Sequence, residues 1–407
     1  MDRASRLRTA GFPRMHKERG ERRDYLPGLV ATAALCGLDV VVESGIGSGM
    51  GLRDTDYTSR DPRIRIGGNE EAFAQDLVVT LRSPETDEFS KLRRGATLAS
   101  MLHFHTRPAR VEALHRLGIG AIALDRIADD TGRRLVVNAR AVGWNGVEAA
   151  FDVLERDWPA FRGRDREPVR VLVTGVGAVG RFAVEAATKV GNVERRDLLM
   201  ADDIPGVIVN AVGRNVTIDG SLVRTLLSRS DILVDASQRD DASRPLISNA
   251  WIADLPAHAV ICDLVVDPYL LDVEPPTVRS IEGIPRGNLD KYVYHESDPD
   301  WTDTIPEGVP TRERRTVVSC YSWPGIRPRP CMELYGAQLA PLLEVLIASG
   351  GTDGLQPDGS YLERALHRGS LSSWLETGAT PRHTGRGALG DAVIVPGVGN
   401  ASLEGER

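Results

Sequence analysis

Long hydrophobic runs are the first thing this chain of 407 residues lacks. None approaches the roughly 18 apolar residues that span a bilayer. The basic N-terminus, MDRASRLRTAGFPRMHKERGERR, has no apolar stretch of the signal-peptide kind, so a cytoplasmic protein is expected, without a membrane partner. Cysteine is scarce too: Cys36, Cys262, Cys320 and Cys331 form no CxxC pair and no metal spacing with histidine. Reduced thiols and no metal site follow. Basic residues form no stripe, and the net charge is −7, which excludes the electrostatic footprint of a nucleic-acid binder. The length exceeds one ordinary core and calls for two domains.

What the chain does have is a glycine pattern in a telling place. Val169 to Gly191 reads VRVLVTGVGAVGRFAVEAATKVG, an apolar β-branched strand, a turn with Gly175, Gly177 and Gly180 in GxGxxG spacing, and an amphipathic helix. In this motif the first glycine makes the tight turn and the second lets backbone approach a pyrophosphate. The third lets helix and strand pack closely. Ala178 and Val179 then stand in the first helical turn, where free N–H groups and the positive dipole end favour phosphate. Dinucleotide binding is the reading.

Helices and strands alternate on both sides of that motif. Asp39 to Glu43, Asp76 to Leu81, Ala99 to Phe104 and Ala121 to Leu124 read as strands, with helices at Leu29 to Leu38 and Ala109 to Leu117. The fold class is therefore α/β, two Rossmann-like domains with parallel sheets, cofactor and substrate in the interdomain cleft. Arg140 to Leu154 reads as a helix leading out of the first domain, and the polar, proline-bounded stretch from Asp157 to Pro168 marks the boundary. In the second domain a long loop from Glu194 to Pro205 precedes strands at Val207 to Val212, Ile232 to Asp235 and Val260 to Val266. The resulting division is residues 13–156 for the first part of a substrate domain, 157–305 for the nucleotide domain, 306–350 for a return to the substrate domain and 351–407 for a glycine-rich tail. The dozen residues at the start are expected to lie outside the folded core. Met332 to Ala348 reads as a strongly apolar helix.

The acid that ordinarily holds the adenosine ribose is missing at the end of the second strand of this domain. The strand runs VIVNAVGRN, so Gly213 and Arg214 stand there. A guanidinium fork pairs well with a 2′-phosphate, so NADP is favoured over NAD. Ser237, just after ILVDAS, is placed to face the cofactor cleft, with Asp235 its neighbour in the strand.

Seven segments in order, KERGERRDYLP, VVVESGIGSGMGLRDTDY, DLVVTLRSPETDEF, LASMLHFH, VLVTGVGAVG, VICDLVVDPY and YSWPGIRPRP, resemble the alanine dehydrogenase and pyridine nucleotide transhydrogenase family, with its saccharopine-dehydrogenase-like relatives. The resemblance implies a two-domain oxidoreductase acting on the CH–NH bond of an amino acid, by reversible reductive amination of a 2-oxo acid. It implies that Arg23 holds the substrate carboxylate, with Arg22 as the neighbouring candidate. Arg82 stands where alanine dehydrogenases have a lysine, which keeps the charge and changes its shape. His103 matches the catalytic histidine, whose residue type gives and takes a proton near neutrality. His105 shares its side if the strand continues that far. Asp267 matches the active-site aspartate, while Asp263 reads as a structural hydrogen-bonding group. Trp323, Pro324 and Gly325 fall in the turn that borders nicotinamide in the family, although Ser322 and Trp323 replace Asn and Met. Partners implied are a small 2-oxo acid and an amine or amino acid, with a homo-oligomer as an open option. The alternatives are an opine- or saccharopine-type secondary-amine dehydrogenase, a redox-neutral cyclodeaminase, and a non-catalytic NAD(P)-binding sensor.

Overall fold

Residues 7–15, 19–239 and 241–377 are described by the computed structural model. The first sheet has six parallel strands, β1 (Thr9–Phe12), β2 (Asp39–Glu43), β3 (Ile64–Gly67), β4 (Leu77–Arg82), β5 (Thr97–Met101) and β6 (Gly120–Ala123), in the order β3-β2-β1-β4-β5-β6. Its crossovers carry α1 (Pro27–Leu35), the short α2 (Asp54–Thr58) and α3 (Asn69–Phe73), and α4 (Pro108–Leu117). Strands such as DVVVE and LVVTLR are apolar along almost their whole length because helices cover both faces of a parallel sheet.

The 19-residue α5 (Ala139–Asp157) leads into the second sheet. That sheet is built from β7 (Val169–Thr174), β8 (Val207–Val212), β9 (Ile232–Asp235), β10 (Val260–Asp263), β11 (Val293–Tyr294) and β12 (Thr316–Ser319), ordered β11-β12-β10-β9-β7-β8. Only the β11 to β12 pairing is antiparallel. Its helices are α6 (Ala178–Ala187), α7 (Val193–Ala201), the one-turn α8 (Arg214–Thr217) and α9 (Gly220–Leu227). α5 lies directly on α6: a Cβ on Gly143 would come within 2.7 Å of the Ala183 nitrogen, so the two backbones nearly touch. The chain then returns through α10 (Pro328–Ala348), followed by α11 (Tyr361–Gly369) and α12 (Leu371–Glu376).

Several expectations are corrected here. The opening residues are not all outside the core, since β1 is an interior strand of the first sheet, hydrogen-bonded on both sides. The stretch 194–205 is not a loop for most of its length: α7 begins there, capped by Asn192, whose side chain accepts from the Arg195 N–H. Residues 273–313 fold on the second sheet, where Ile281, Ile284 and Trp301 are buried, and β12 beyond them still pairs with β10. The return to the first domain therefore comes after Ser319, later than 306. Part of the region after 350 is helical, and Ala365 and Leu366 of α11 join the first-domain core; residues 378–407 lie outside the described ones. By length and composition α10 alone among the described helices passes for a membrane span. In the fold its Leu339, Leu342, Leu343 and Leu346 are buried in the first-domain core.

Candidate active site at the strand ends

The glycine turn follows β7. Gly175 sits at φ +96°, a left-handed conformation that favours glycine, and a Cβ there would lie 2.4 Å from the Ala236 carbonyl oxygen. A Cβ on Gly180 would meet the Gly175 carbonyl oxygen at 1.9 Å, so helix and turn are in contact. A Cβ on Gly177 would meet nothing within 4 Å. That open side, beside the first N–H groups of α6 at Ala178 and Val179, is where a pyrophosphate fits. Arg214 opens α8 at the end of β8, and its guanidinium donates to the Gln238 carbonyl at 3.2 Å. Ser237 donates its N–H to Asp235 at 3.0 Å, and its hydroxyl lies 3.0 Å from that of Ser280.

Strand register lines up a polar row beneath this turn. Thr174 pairs with Asp235, Asp235 with Asp263, and Asp263 with Ser319. Asp263 accepts from the N–H groups of Val265 and Val266 at 3.1 and 2.9 Å and from the Ser319 hydroxyl at 3.0 Å, and it is ion-paired with the buried Arg279. Asp235, 1% exposed, accepts at Oδ1 from the Thr174 hydroxyl and the Ser237 N–H, both at 3.0 Å; its Oδ2 has no hydrogen-bond partner. Burial, helped by the charge of Asp263, raises its pKa to about 6. Asp267 follows Val266, a β-branched residue held at φ +52°. Arg239 donates to the Asp267 carboxylate at 2.6 Å, yet burial outweighs that partner and lifts the Asp267 pKa.

The first domain supplies the other groups. Arg23 is 3% exposed, and its Nε and Nη2 grip the two oxygens of Glu21 at 2.8 and 2.6 Å. Burial works against the Glu21 charge, but Arg23 and Arg82 hold its pKa below the usual carboxylate range. Arg82 lies over the Tyr321 ring, 5.3 Å from its centroid. Arg82 and Glu21 line a cleft with Arg14, Phe73, Ser83 and Glu85. A Cβ on Gly325 would come within 3.2 Å of the Arg23 guanidinium carbon. The segment Tyr321 to Gly325, reached from β12, thus meets both arginines.

β5 ends at Met101, so His103 is not in the strand. It is left-handed (φ 49°, ψ 51°) and starts a turn, and His105 follows in that turn rather than two places along a strand. Asp125 fixes His103 twice: Oδ1 accepts the backbone N–H at 3.1 Å, and Oδ2 lies 3.4 Å from Nδ1. Although burial opposes it, the His103 contacts bring the Asp125 pKa to about 2. Burial lowers the pKa of His105.

The structure brings Arg23, Arg82 and Gly325 together and sets Asp267 and His103 on different domains, Asp267 paired with Arg239 and His103 held by Asp125. Trp323 does not border a ligand site. It is 1% exposed, donates its indole N–H to the Asp263 carbonyl at 2.8 Å, packs edge-on against Tyr292 and receives the Asn145 side chain on its carbonyl. Its part is to pin the turn that carries Pro324 and Gly325. Sequence reasoning missed Glu21, Asp125, Arg239 and Tyr321. For Asp125 a signal existed: β5 and β6 are adjacent parallel strands, and each is followed within two residues by a polar side chain on the same sheet edge. Among the described residues, no group of three or more His, Cys, Asp or Glu side chains is placed to hold a metal.

Comparison with known proteins agrees with this layout. Residues 12–140 match the family model "Alanine dehydrogenase/PNT, N-terminal domain". The alanine dehydrogenase of Methanococcus maripaludis is 25% identical over 272 residues, covering 63% of this chain and 72% of that protein. The NAD(P) transhydrogenase subunit alpha of Haemophilus influenzae is 24% identical over 191 residues, covering 46% of this chain and 37% of that protein. A solved L-alanine dehydrogenase superposes with a TM-score of 0.66 at 20% identity, over 89% of this chain and 94% of that one, which shows the shared fold. With two Rossmann-like domains in the same order, the chain resembles the alanine dehydrogenase and pyridine nucleotide transhydrogenase family and is a dehydrogenase-like oxidoreductase.

Proposed function

We propose that the protein interconverts a 2-oxo acid and an amino acid by nicotinamide-dependent oxidoreduction at a CH–NH bond. One observation carries this reading: Arg23 and Arg82 of the first domain converge on Tyr321 to Gly325, the segment that leaves the nucleotide-binding sheet. A substrate carboxylate held there lies between the domains. Glu21 occupies the Nε and Nη2 edge of Arg23, so the anion meets the rest of that guanidinium together with Arg82. His103, oriented by Asp125, gives a proton to the 2-oxo oxygen as amine adds and water leaves, and recovers it in the oxidative direction. Asp267, steadied by Arg239, faces the positive charge that develops on the substrate nitrogen. A nicotinamide cofactor held by its pyrophosphate at the glycine turn would supply the hydride chemistry; the side chains supply position and charge. NADP is the preferred form in this reading, because Arg214 closes the end of β8 where a 2′-phosphate falls.

A second reading is an opine-type reaction, in which an amino acid rather than ammonia is the amine. Product analysis with NADPH, a panel of 2-oxo acids and either ammonia or amino acids separates the two. In both, His103→Ala lowers turnover by ~10²-fold or more with cofactor affinity kept. An unchanged rate removes His103 from the mechanism.

A further inference from the structure

The polar row at the strand ends has a charge count that does not close. Arg279 is one buried cation, paired with Asp263, and Asp263 lies in register with a second buried acid, Asp235. Asp263 takes Arg279 and the Ser319 hydroxyl. The cluster is then neutral only if Asp235 holds a proton, and a second buried carboxylate without a cation costs several kcal/mol. Among the described residues, the remaining groups around Asp235 bring no positive charge. They are the Thr174 hydroxyl from β7, the Ser237 N–H, the Ser280 hydroxyl beyond it, and the thiol of Cys262 in β10, whose own pKa burial raises. Arg239 is already matched by Asp267.

The same carboxyl lies directly under the nucleotide turn. Ala236, the next residue, has its carbonyl in the space that the missing Cβ of Gly175 leaves open. With the pyrophosphate at Gly177 and the adenosine toward β8 and Arg214, the nicotinamide end must extend over β9 and β10. That ring is cationic when oxidised and neutral when reduced. We propose, building on the nicotinamide-dependent reading above, that Asp235 is the residue through which this site senses the redox state of its cofactor. It stays a neutral acid under the reduced ring, and its O–H proton passes to solvent when the oxidised ring binds, leaving the electron pair as the carboxylate that balances the ring's charge. The pKa of about 6 puts the transition within reach of ordinary buffers.

Titration calorimetry with NADP+ and NADPH, and with NAD+ and NADH, at pH 6 in two buffers of different ionisation enthalpy tests this. Oxidised cofactor should release a fraction of one proton and reduced cofactor none. The ratio of oxidised to reduced affinity should rise about tenfold between pH 5 and pH 7.5, the equivalent of one pKa unit. In Asp235→Asn both cofactors should still bind, with no release and a flat ratio. Thr174→Val, which removes a donor to Oδ1, should move the midpoint to higher pH. Proton release that survives in Asp235→Asn, or a flat ratio in the wild-type protein with both cofactors bound, overturns the proposal while leaving the oxidoreductase reading intact. If no nicotinamide cofactor binds, both fall together.

Discussion

Replacing Asp125 by Asn separates the catalytic meaning of its contact with His103 from the structural one. The amide oxygen can still accept the His103 N–H, as Oδ1 does at 3.1 Å, but the carboxylate charge is gone and an NH₂ group can stand where Oδ2 faced Nδ1 at 3.4 Å. Asp125 is 7% exposed and its pKa is lowered to about 2. A folded-state pKa depressed by roughly two units corresponds to ~2–3 kcal/mol of stability. The sign is that of a depressed acid: this stability is present above the ordinary aspartate range and is lost as pH falls through about 2. Part of the hydrogen bonding survives in the amide, so Asp125→Asn should cost about 1–3 kcal/mol at pH 7, a few degrees in melting temperature. The difference should shrink to less than half by about pH 2.5. The effect on catalysis should be larger. The His103 side chain is 45% exposed, and with the carboxylate gone its ring is no longer held in one orientation, so reductive turnover should drop ~10²-fold with cofactor affinity unchanged. Thermal melts at both pH values and steady-state rates form the assay. A variant that loses stability as stated but turns over within about threefold of the parent would show that Asp125 only braces the turn.

Two glycines of the nucleotide turn make opposite predictions. Gly180→Ala drives a methyl to 1.9 Å from the Gly175 carbonyl and should disturb the domain itself, visible as a lower melting temperature without ligand. Gly177→Ala meets only open space and should fold normally while losing affinity for NAD(P)H; equal behaviour of the two variants would contradict the assignment of the open side to phosphate. Arg214→Ala should weaken NADPH binding about tenfold relative to NADH. A parallel loss for both would assign Arg214 to the loop around Gln238 instead.

The alternation of βα units and the strands β2, β8 and β9 could be read from residues alone, because short apolar runs between polar turns have few other solutions in an α/β chain. β1 could not. Thr9 to Phe12 is four residues long, and it becomes interior only because β2 and β4 close on it from both sides. α7 was hidden by its charged sequence, VERRDLLMA, whose Arg195 is buried through ion pairs with Asp152 and Glu155 of α5 rather than through apolar packing. The arginines and His103 were legible as residue types in a resembling pattern. Their partners were not, since Glu21, Asp125 and Arg239 matter only through contacts made in three dimensions. Trp323 shows the converse, a residue in a site-like turn whose side chain belongs to the core.

The two domains differ in how their parts arrive during synthesis. From α5 to Trp323 the second sheet and its covering helices come from one continuous stretch, so its core can close as soon as that stretch is free. The first core takes Phe12 and Val40 from near the start of the chain and Met332, Leu343 and Leu366 from more than 280 residues later. Until α10 arrives, the face of the first sheet and α1 that it covers stands open to water. On the ribosome the nucleotide-binding half is therefore complete first, and the earlier-made half must wait, apolar face exposed, for its last helices.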